Sequence, residues 1–317
     1  MRYDRNSTSV QSRRDTSCLP DFFVIGAAKA GTTSLYNYLR QHPDIYMSPV
    51  KEPKFFALEA ERLEYQGPGD MYAHRFAATT MASYLSLFDG VSKERAIGEA
   101  SALYLYSSEA PRRIRHHIPD ARLIAVLRDP VERAYSSYRM LVKSGRERLL
   151  SFSDALAAEP GRIEDNWEFI WHYVRAGFYG EQLSRYFELF DRSQIRIFLF
   201  RDFVGRTQEV IREIFRFLGV DESFVPNTKR VHNAASNVPR SQALARFLEE
   251  PNRMKKVLRM FVPATIRQGI AAYCRNQNRL PTRVPTEIRR ELISVYRPDI
   301  KELAKLIERD LSHWLSL

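Results

Sequence analysis

The chain contains little cysteine and no long hydrophobic run. Its two cysteines, Cys18 and Cys274, permit at most one disulfide and cannot form a four-thiolate metal site, which favours a reducing compartment. The longest apolar stretches, such as residues 22–25, are far shorter than the roughly 18 residues that a membrane helix requires. The polar N-terminus lacks the apolar middle segment of a secretion signal. We therefore expect a cytoplasmic protein without an integral membrane segment, and a disordered polar arm over residues 1–20.

Acidic residues are fewer than basic ones. The 317 residues include 49 Lys and Arg but 38 Asp and Glu, which gives a formal net charge of +11. Such an excess indicates an anionic ligand, nucleic acid or an anionic surface, or a basic surface that only keeps the protein soluble. Because the sign of the charge does not distinguish these possibilities, the sequence motifs have to.

Short apolar runs alternate with helical periods over the first two thirds of the sequence. Five runs predict buried parallel strands, at residues 21–26, 44–47, 95–99, 122–127 and 194–200. Helices are predicted from residue 32 to Pro43, and over residues 131–143, 178–190 and 207–218. This order of strands and helices is typical of a parallel sheet with crossover helices.

The last third of the sequence has a different pattern. After Pro226 the strand signals vanish and the chain becomes basic and helical, with a final helix predicted over residues 298–310. The length and the 44% hydrophobic content fit one large domain. The sequence therefore predicts an α/β fold, a P-loop-like parallel sheet flanked by helices, in a single domain over residues 21–317 with a helical cap over about residues 226–317.

A segment rich in small and hydroxyl residues joins the first predicted strand to the first helix. It reads Gly26-Ala27-Ala28-Lys29-Ala30-Gly31-Thr32-Thr33-Ser34. Glycine lets backbone N–H groups approach an anion, the start of a helix offers unpaired donors, and Lys29 adds a full charge. The segment predicts a phosphate cradle, the alternative being a turn that only connects two elements. In nucleotide-triphosphate loops Lys follows the second Gly, whereas Lys29 precedes Gly31, which disfavours an ATPase or GTPase.

A second candidate anion site follows the fourth predicted strand. Arg128 ends that strand, and Pro130 opens the next helix at a position where its missing N–H costs nothing. Arg128 and Ser136 could then converge on an anion. The alternative is a surface pair between Arg128 and Asp129, with Ser136 facing solvent. Two anion sites at the carboxyl ends of parallel strands favour the first interpretation.

Together, the segments Lys29-Ala30-Gly31-Thr32-Thr33 and Arg128-Asp129-Pro130 with Ser136 resemble the signatures of sulfotransferases that use 3′-phosphoadenosine 5′-phosphosulfate (PAPS). The resemblance extends from Phe22 to about Leu218. It implies that residues Lys29, Ala30, Gly31, Thr32, Thr33 and Ser34 hold the 5′-phosphosulfate, and that Arg128 and Ser136 hold the 3′-phosphate. The product would be adenosine 3′,5′-bisphosphate.

Further segments resemble the heparan sulfate N- and 3-O-sulfotransferase branch and its bacterial relatives. They are His42-Pro43-Asp44-Ile45 and Lys51-Glu52-Pro53-Lys54-Phe55-Phe56. The resemblance implies that Glu52 is the catalytic base, that Tyr179 lies near the adenine and the 3′-phosphate, and that Arg240 belongs to a segment closing over the cofactor. The branch has a Glu-Lys-Ser/Thr-Pro-x-Tyr segment, but this chain reads Glu99-Ala100-Ser101-Ala102-Leu103-Tyr104. This departure argues against a heparan substrate and favours bacterial members with diverse acceptors.

The expected reaction is in-line transfer of a sulfuryl group from PAPS to a hydroxyl, in preference to an amine, of a carbohydrate, lipid or secondary metabolite. Lys29 would stabilise the leaving phosphate, and Glu52 would accept the proton of the acceptor. Without the resemblance, Glu52 reads as a loop carboxylate paired with Lys51 and Lys54. No metal is expected, since no two histidines are four residues apart. The alternatives are a nucleotide-dependent kinase and a non-catalytic nucleic-acid-binding protein. The sequence does not determine the oligomeric state.

Overall fold

A five-stranded parallel sheet forms the centre of the computed structural model, which describes residues 19–229 and 280–317. Its strands are β1 (Phe22–Gly26), β2 (Ile45–Met47), β3 (Ala96–Ala100), β4 (Arg122–Leu127) and β5 (Ile195–Leu199). They lie in the order β2-β3-β1-β4-β5, and every neighbouring pair is parallel. The predicted α/β fold is confirmed, and each predicted strand is present within one residue at either end. Residues 1–18 of the predicted arm and residues 230–279 of the predicted cap lie outside the described residues.

Strand β1 is the most enclosed element of the sheet. It pairs with β3 on one side, where Phe22 is opposite Gly98, and with β4 on the other, where Val24 is opposite Ile124. All five of its residues are buried because helices cover both faces. Gly98 is required here, since a Cβ atom at this position would lie 2.3 Å from the ring of Phe22. These contacts explain why β1 is a continuous apolar run without alternation.

The helices of the described residues connect the strands and cover both faces of the sheet. They are α1 (Thr32–Leu39), α2 (Phe55–Leu58), α3 (Asp70–Ala73), α4 (Met81–Leu85), α5 (Leu103–Tyr106), α6 (Ala110–His117), α7 (Pro130–Lys143), α8 (Phe152–Ala157), α9 (Glu159–Glu164), α10 (Tyr179–Phe187), α11 (Phe200–Gly205), α12 (Thr207–Leu218) and α13 (Thr286–Leu306). Short 3₁₀ turns lie at Ser86–Phe88, Phe169–Trp171, Arg175–Gly177, Arg192–Gln194 and Ser312–Leu315. Helix α12 ends at Gly219, which adopts a left-handed conformation with φ 73°.

The last helix is longer than predicted. The prediction placed its start at Pro298, but α13 begins at Thr286 and contains Pro298 in its interior. Proline removes one hydrogen bond inside a helix. The helix nevertheless continues because its buried positions, Leu292, Ile293, Tyr296, Ile300 and Leu303, recur at helical spacing on both sides of the proline. This apolar face packs against α10 and α7.

In the part of the chain that the structure describes, no helix combines the length and the apolar content needed to cross a membrane.

Candidate active site

A cavity of about 710 Å³ opens at the carboxyl ends of the strands. Segments that follow all five strands contribute to its wall: Lys29 after β1, Glu52 after β2, Ala102 after β3, Arg128 after β4 and Phe200 after β5. The strands are parallel, so their carboxyl ends meet at one edge of the sheet, where ligands bind in open α/β folds. The topology thus brings residues from five distant parts of the sequence to one site.

The segment between β1 and α1 forms one end of this cavity. Gly31 has φ 90°, and a Cβ atom there would lie 3.1 Å from the ring of Phe203. Gly31 precedes α1 without a side-chain cap on the first turn, and the helix residues Thr32, Thr33 and Ser34 line the cavity. A helix start with hydroxyl side chains and no capping carboxylate is suited to an anion.

The ammonium group of Lys29 lies near other positively charged side chains. Burial, followed by the positive charges of Arg128 and Lys51, lowers the pKa of Lys29 to about 8. Its Nζ atom donates to the sulfur of Met140 at 3.1 Å, and no carboxylate in residues 19–229 or 280–317 forms an ion pair with it. A half-buried ammonium without a counter-charge indicates that the cavity is built for an anion.

Arg128 lies beside Lys29 at the end of β4. Its Nη1 atom donates to the carbonyl oxygen of Lys29 at 3.3 Å, and its Nη2 atom donates to Glu132 at 3.4 Å. Asp129 caps α7 by accepting from the N–H groups of Val131 and Glu132, at 2.9 and 3.1 Å. Arg128 is therefore paired with Glu132 in α7 rather than with Asp129, and Ser136 of the same helix also lines the cavity.

Glu52 belongs to a turn after β2 that contributes to the wall of the cavity. Its side chain is 27% exposed and lines the wall. Oε1 accepts from Nζ of Lys51 at 2.5 Å, and Oε2 accepts from the backbone N–H of Ala102 at 2.9 Å. Lys54 does not pair with Glu52, because its Nζ atom donates to Glu168 at 3.2 Å. The carboxylate is thus fixed on one side and accessible on the other.

A buried network that the sequence did not predict adjoins this turn. Glu168 accepts from Lys54 and lies 3.4 Å from Nε2 of His74. Although burial alone would raise the pKa of Glu168, His74 and the charge of Lys54 lower it to about 2. Asp70 accepts from the N–H of Glu168 at 2.9 Å and from Nε1 of Trp171 at 2.8 Å. These residues come from three separate segments, so no local pattern reveals their contact.

The described residues contain no group of three or more His, Cys, Asp or Glu side chains that could hold a metal ion.

A profile of the sulfotransferase family matches residues 20–224. The chain belongs to this family. The match covers all five strands and the whole wall of the cavity except Thr228 and Thr282. Family membership favours sulfuryl transfer over the two alternatives, the kinase and the nucleic-acid-binding protein.

Known sulfotransferases resemble the chain over most of its length. A crystal structure of a sulfotransferase from Alicyclobacillus acidocaldarius is 35% identical, covers 94% of this chain and 100% of its own, and superposes with a TM-score of 0.75. Human carbohydrate sulfotransferase 15 is 28% identical over 64% of this chain and 44% of the relative. Human bifunctional heparan sulfate N-deacetylase/N-sulfotransferase 3 is 30% identical over 68% of this chain and 24% of the relative. The chain matches less than half the length of these two relatives.

Two predicted site residues of this sulfotransferase that the structure describes, Ala30 and Tyr179, do not line the cavity, and the side chain of Ala30 is fully buried. Tyr179 begins α10 with a fully buried side chain and does not line the cavity. Burial raises the pKa of its hydroxyl, against the opposing effect of the positive charge of Arg133, and its ring packs 6.2 Å from that of Trp314. Arg240 lies outside the described residues. Their contacts with a cofactor stay predictions.

Proposed function

We propose that this sulfotransferase transfers a sulfuryl group from PAPS to a hydroxyl, in preference to an amine, of a carbohydrate, lipid or secondary metabolite. The observation that carries the proposal is the charge of Lys29, which has no acidic partner among residues 19–229 and 280–317 and lies beside Arg128 and next to the open start of α1. PAPS carries phosphate groups at two positions of one nucleotide, so it would supply anions to two such sites at once.

The residues at this end of the cavity fit the two ends of the nucleotide. Lys29 and the first turn of α1, with Thr32, Thr33 and Ser34, would hold the 5′-phosphosulfate. Arg128 and Ser136 would hold the 3′-phosphate, which then replaces Glu132 as a partner of the guanidinium.

Lys29 and Glu52 divide the chemistry between them. When bound, PAPS supplies an activated sulfuryl group with a phosphate as its leaving group. The ammonium of Lys29 stabilises the negative charge that develops on that phosphate, as positioned cations do in phosphoryl transfer. Glu52, whose Oε1 and Oε2 are oriented by Lys51 and Ala102, accepts the proton of the attacking hydroxyl.

The acceptor would enter the same cavity and reach Glu52. The wall of this cavity also contains Phe76, Phe169 and Ile170 together with Arg75. Phe76 is 63% exposed, and the guanidinium of Arg75 lies 4.5 Å from the centre of its ring. An aromatic side chain at the mouth of a cavity can stack on a sugar or another ring. Carbohydrate sulfotransferase 15 among the relatives supports a carbohydrate in this position.

The donor is tested first, because its binding does not require knowledge of the acceptor. Adenosine 3′,5′-bisphosphate at 100 times its dissociation constant is expected to stabilise the protein by about 2.7 kcal/mol, measured as a thermal shift. ATP and AMP, each lacking the 3′-phosphate, are the matched ligands and are expected to give smaller shifts. Equal stabilisation by ATP with Mg²⁺ would instead support the kinase alternative.

The transfer itself is tested with ³⁵S-labelled PAPS and a panel of sugars, hydroxylated lipids and phenols. Labelled product with at least one hydroxyl acceptor is expected from the wild type. Glu52→Gln is expected to form no labelled product, while it keeps the fold and the thermal shift with adenosine 3′,5′-bisphosphate. Equal transfer of the label by Glu52→Gln and by the wild type would show that Glu52 does not act as the base.

A further inference from the structure

Glu99 is a carboxylate that lies inside the protein, behind the candidate base. Its side chain is fully buried in β3. Oε1 accepts from the hydroxyls of Tyr84 and Tyr104, and Oε2 accepts from the hydroxyl of Ser101 at 2.8 Å. Burial raises the pKa of Glu99 to about 7, and the charge of Glu52 acts in the same direction. Because burial of a carboxyl group is unfavourable, its presence in β3 requires an explanation.

Glu99 cannot itself take a proton from an acceptor. It does not line the cavity, and a base has to reach the proton that it accepts directly or through one water. Tyr84, Tyr104 and Ser101 already surround both of its oxygens. Any role in the reaction must therefore pass through another residue.

The residue next in the chain of hydrogen bonds is Ser101. Its hydroxyl donates to Glu99, so a lone pair of Oγ is left to accept from the backbone N–H of Lys54 at 2.9 Å. The same strand end makes two further bonds to the turn at residues 52–54. The N–H of Glu52 donates to the carbonyl oxygen of Ala100 at 2.9 Å, and the N–H of Ala102 donates to the carboxylate of Glu52.

This turn needs to be held because its backbone is unfavourable. Glu52 has φ 65° and Lys54 has φ 59°, a left-handed conformation that is uncommon for residues other than glycine and asparagine. Such conformations cost of order 1–3 kcal/mol each and persist only where the surrounding contacts impose them. Of these three bonds, the one at Ser101 is the one in which the strand end contributes a side chain, whereas Ala100 and Ala102 contribute backbone groups.

We propose that Glu99 is a positioning residue for Glu52: it orients the Ser101 hydroxyl, which holds the turn that presents the Glu52 carboxylate to the cavity. The proposal rests on the role of Glu52 in the proposed function. The buried carboxyl group of Glu99 thereby orients the carboxylate of Glu52 without itself contacting the substrate.

The test compares Ser101→Ala with Tyr84→Phe. Both variants delete one buried hydroxyl that donates to Glu99, but only Ser101 also accepts from Lys54. Turnover of PAPS is measured as release of adenosine 3′,5′-bisphosphate, with the acceptor found in the screen or with water as the acceptor. Melting temperatures are measured in parallel.

Ser101→Ala is expected to lower kcat about tenfold or more, because a displaced base loses its alignment with the acceptor. The KM for PAPS should change less than about twofold, since the nucleotide site is not touched. Tyr84→Phe is expected to lower the melting temperature by a similar amount and to keep kcat within about twofold. An unchanged kcat in Ser101→Ala, or an equal loss in both variants, would overturn the proposal.

Failure of the proposed function gives a different result. If the wild type does not turn over PAPS, the proposed function fails, and crystal structures of the wild type and Ser101→Ala decide the positioning role. The hydrogen bond from Ala102 to Glu52 is expected in the wild type and not in the variant. The same bond in both structures would show that Ser101 does not hold the turn.

Discussion

The backbone N–H of Ala102 donates to Oε2 of Glu52 at 2.9 Å. This bond orients the carboxylate from the end of β3, opposite the contact with Lys51. The related segment in the heparan sulfate branch has proline at the position of Ala102, and proline has no N–H to donate. The orientation of Glu52 by this backbone donor therefore requires a residue other than proline at position 102.

Ala102→Pro removes this donor with little change of backbone, because Ala102 has φ −69°, close to the value that proline imposes. We expect kcat to fall by about 10- to 100-fold, which corresponds to the net value of one hydrogen bond to a charged group. Ala102→Gly keeps the N–H and serves as the control. Equal kcat values for the two variants in PAPS turnover would show that the bond does not orient the base.

Removal of the base itself should have a larger effect. Glu52→Gln keeps the size of the side chain but cannot accept a proton, so kcat is expected to fall by about 10²–10⁴. The affinity for adenosine 3′,5′-bisphosphate, measured by calorimetry, should stay within about twofold. Glu61→Gln, which changes an exposed carboxylate outside the cavity, is the control and should behave as the wild type. A kcat within tenfold of the wild type in Glu52→Gln would assign the base elsewhere.

The sheet could be predicted, and the candidate anion sites could be proposed, because their sequence signals are local. A strand, a helix start and the residues between them are contiguous in sequence, so Gly31, Thr32 and Lys29 could be recognised together. The start of α13 was predicted wrongly because Pro298 was taken as a beginning, although the apolar face that buries the helix extends across it.

The buried contacts beside the turn that contains Glu52 could not be predicted from the sequence. Lys54, His74 and Glu168 meet only through the tertiary fold, at separations of up to 114 residues. The donor from Ala102 is a backbone group, which every residue except proline carries, so its identity gives no signal. The hydrogen bonds around Glu99 likewise come from distant elements, since Tyr84 belongs to a helix before the strand and Tyr104 to a helix after it.

Lys29 should take up a proton when the nucleotide binds. Its pKa is lowered to about 8 by burial and by neighbouring cations, and a bound phosphate would raise it by adding negative charge. At pH 8, where part of the population is neutral, binding of adenosine 3′,5′-bisphosphate should therefore consume protons, and affinity should fall as pH rises through 8. Calorimetry in two buffers of different ionisation enthalpy measures this uptake.

The control for this measurement is Lys29→Met, which has no titrating group at this position. Its binding heat at pH 8 should not depend on the buffer, and its affinity should be weaker. Identical buffer dependence in the wild type and in Lys29→Met would show that the proton is taken up by another group.

Glu99 should make the protein less stable as pH rises towards neutrality. Its pKa is about 7 in the folded protein and 4.5 in the absence of burial, so the folded state holds a proton that the unfolded state releases between these values. The stabilising effect of that proton is complete below about pH 4.5 and is lost as pH rises through 7. The loss over this range is about 3 kcal/mol, since one pKa unit corresponds to about 1.4 kcal/mol.

Glu99→Gln isolates this contribution, because glutamine has the same size and does not titrate. The free energy of unfolding is measured with urea at pH 5 and at pH 8 for both proteins. Relative to the wild type, Glu99→Gln should be more stable at pH 8 than at pH 5, by an amount that approaches the predicted loss. Other titrating groups shift both proteins equally and cancel in the difference. A difference between the two proteins that does not change with pH would mean that Glu99 is already ionised throughout the range, held so by the hydroxyls of Tyr84, Tyr104 and Ser101.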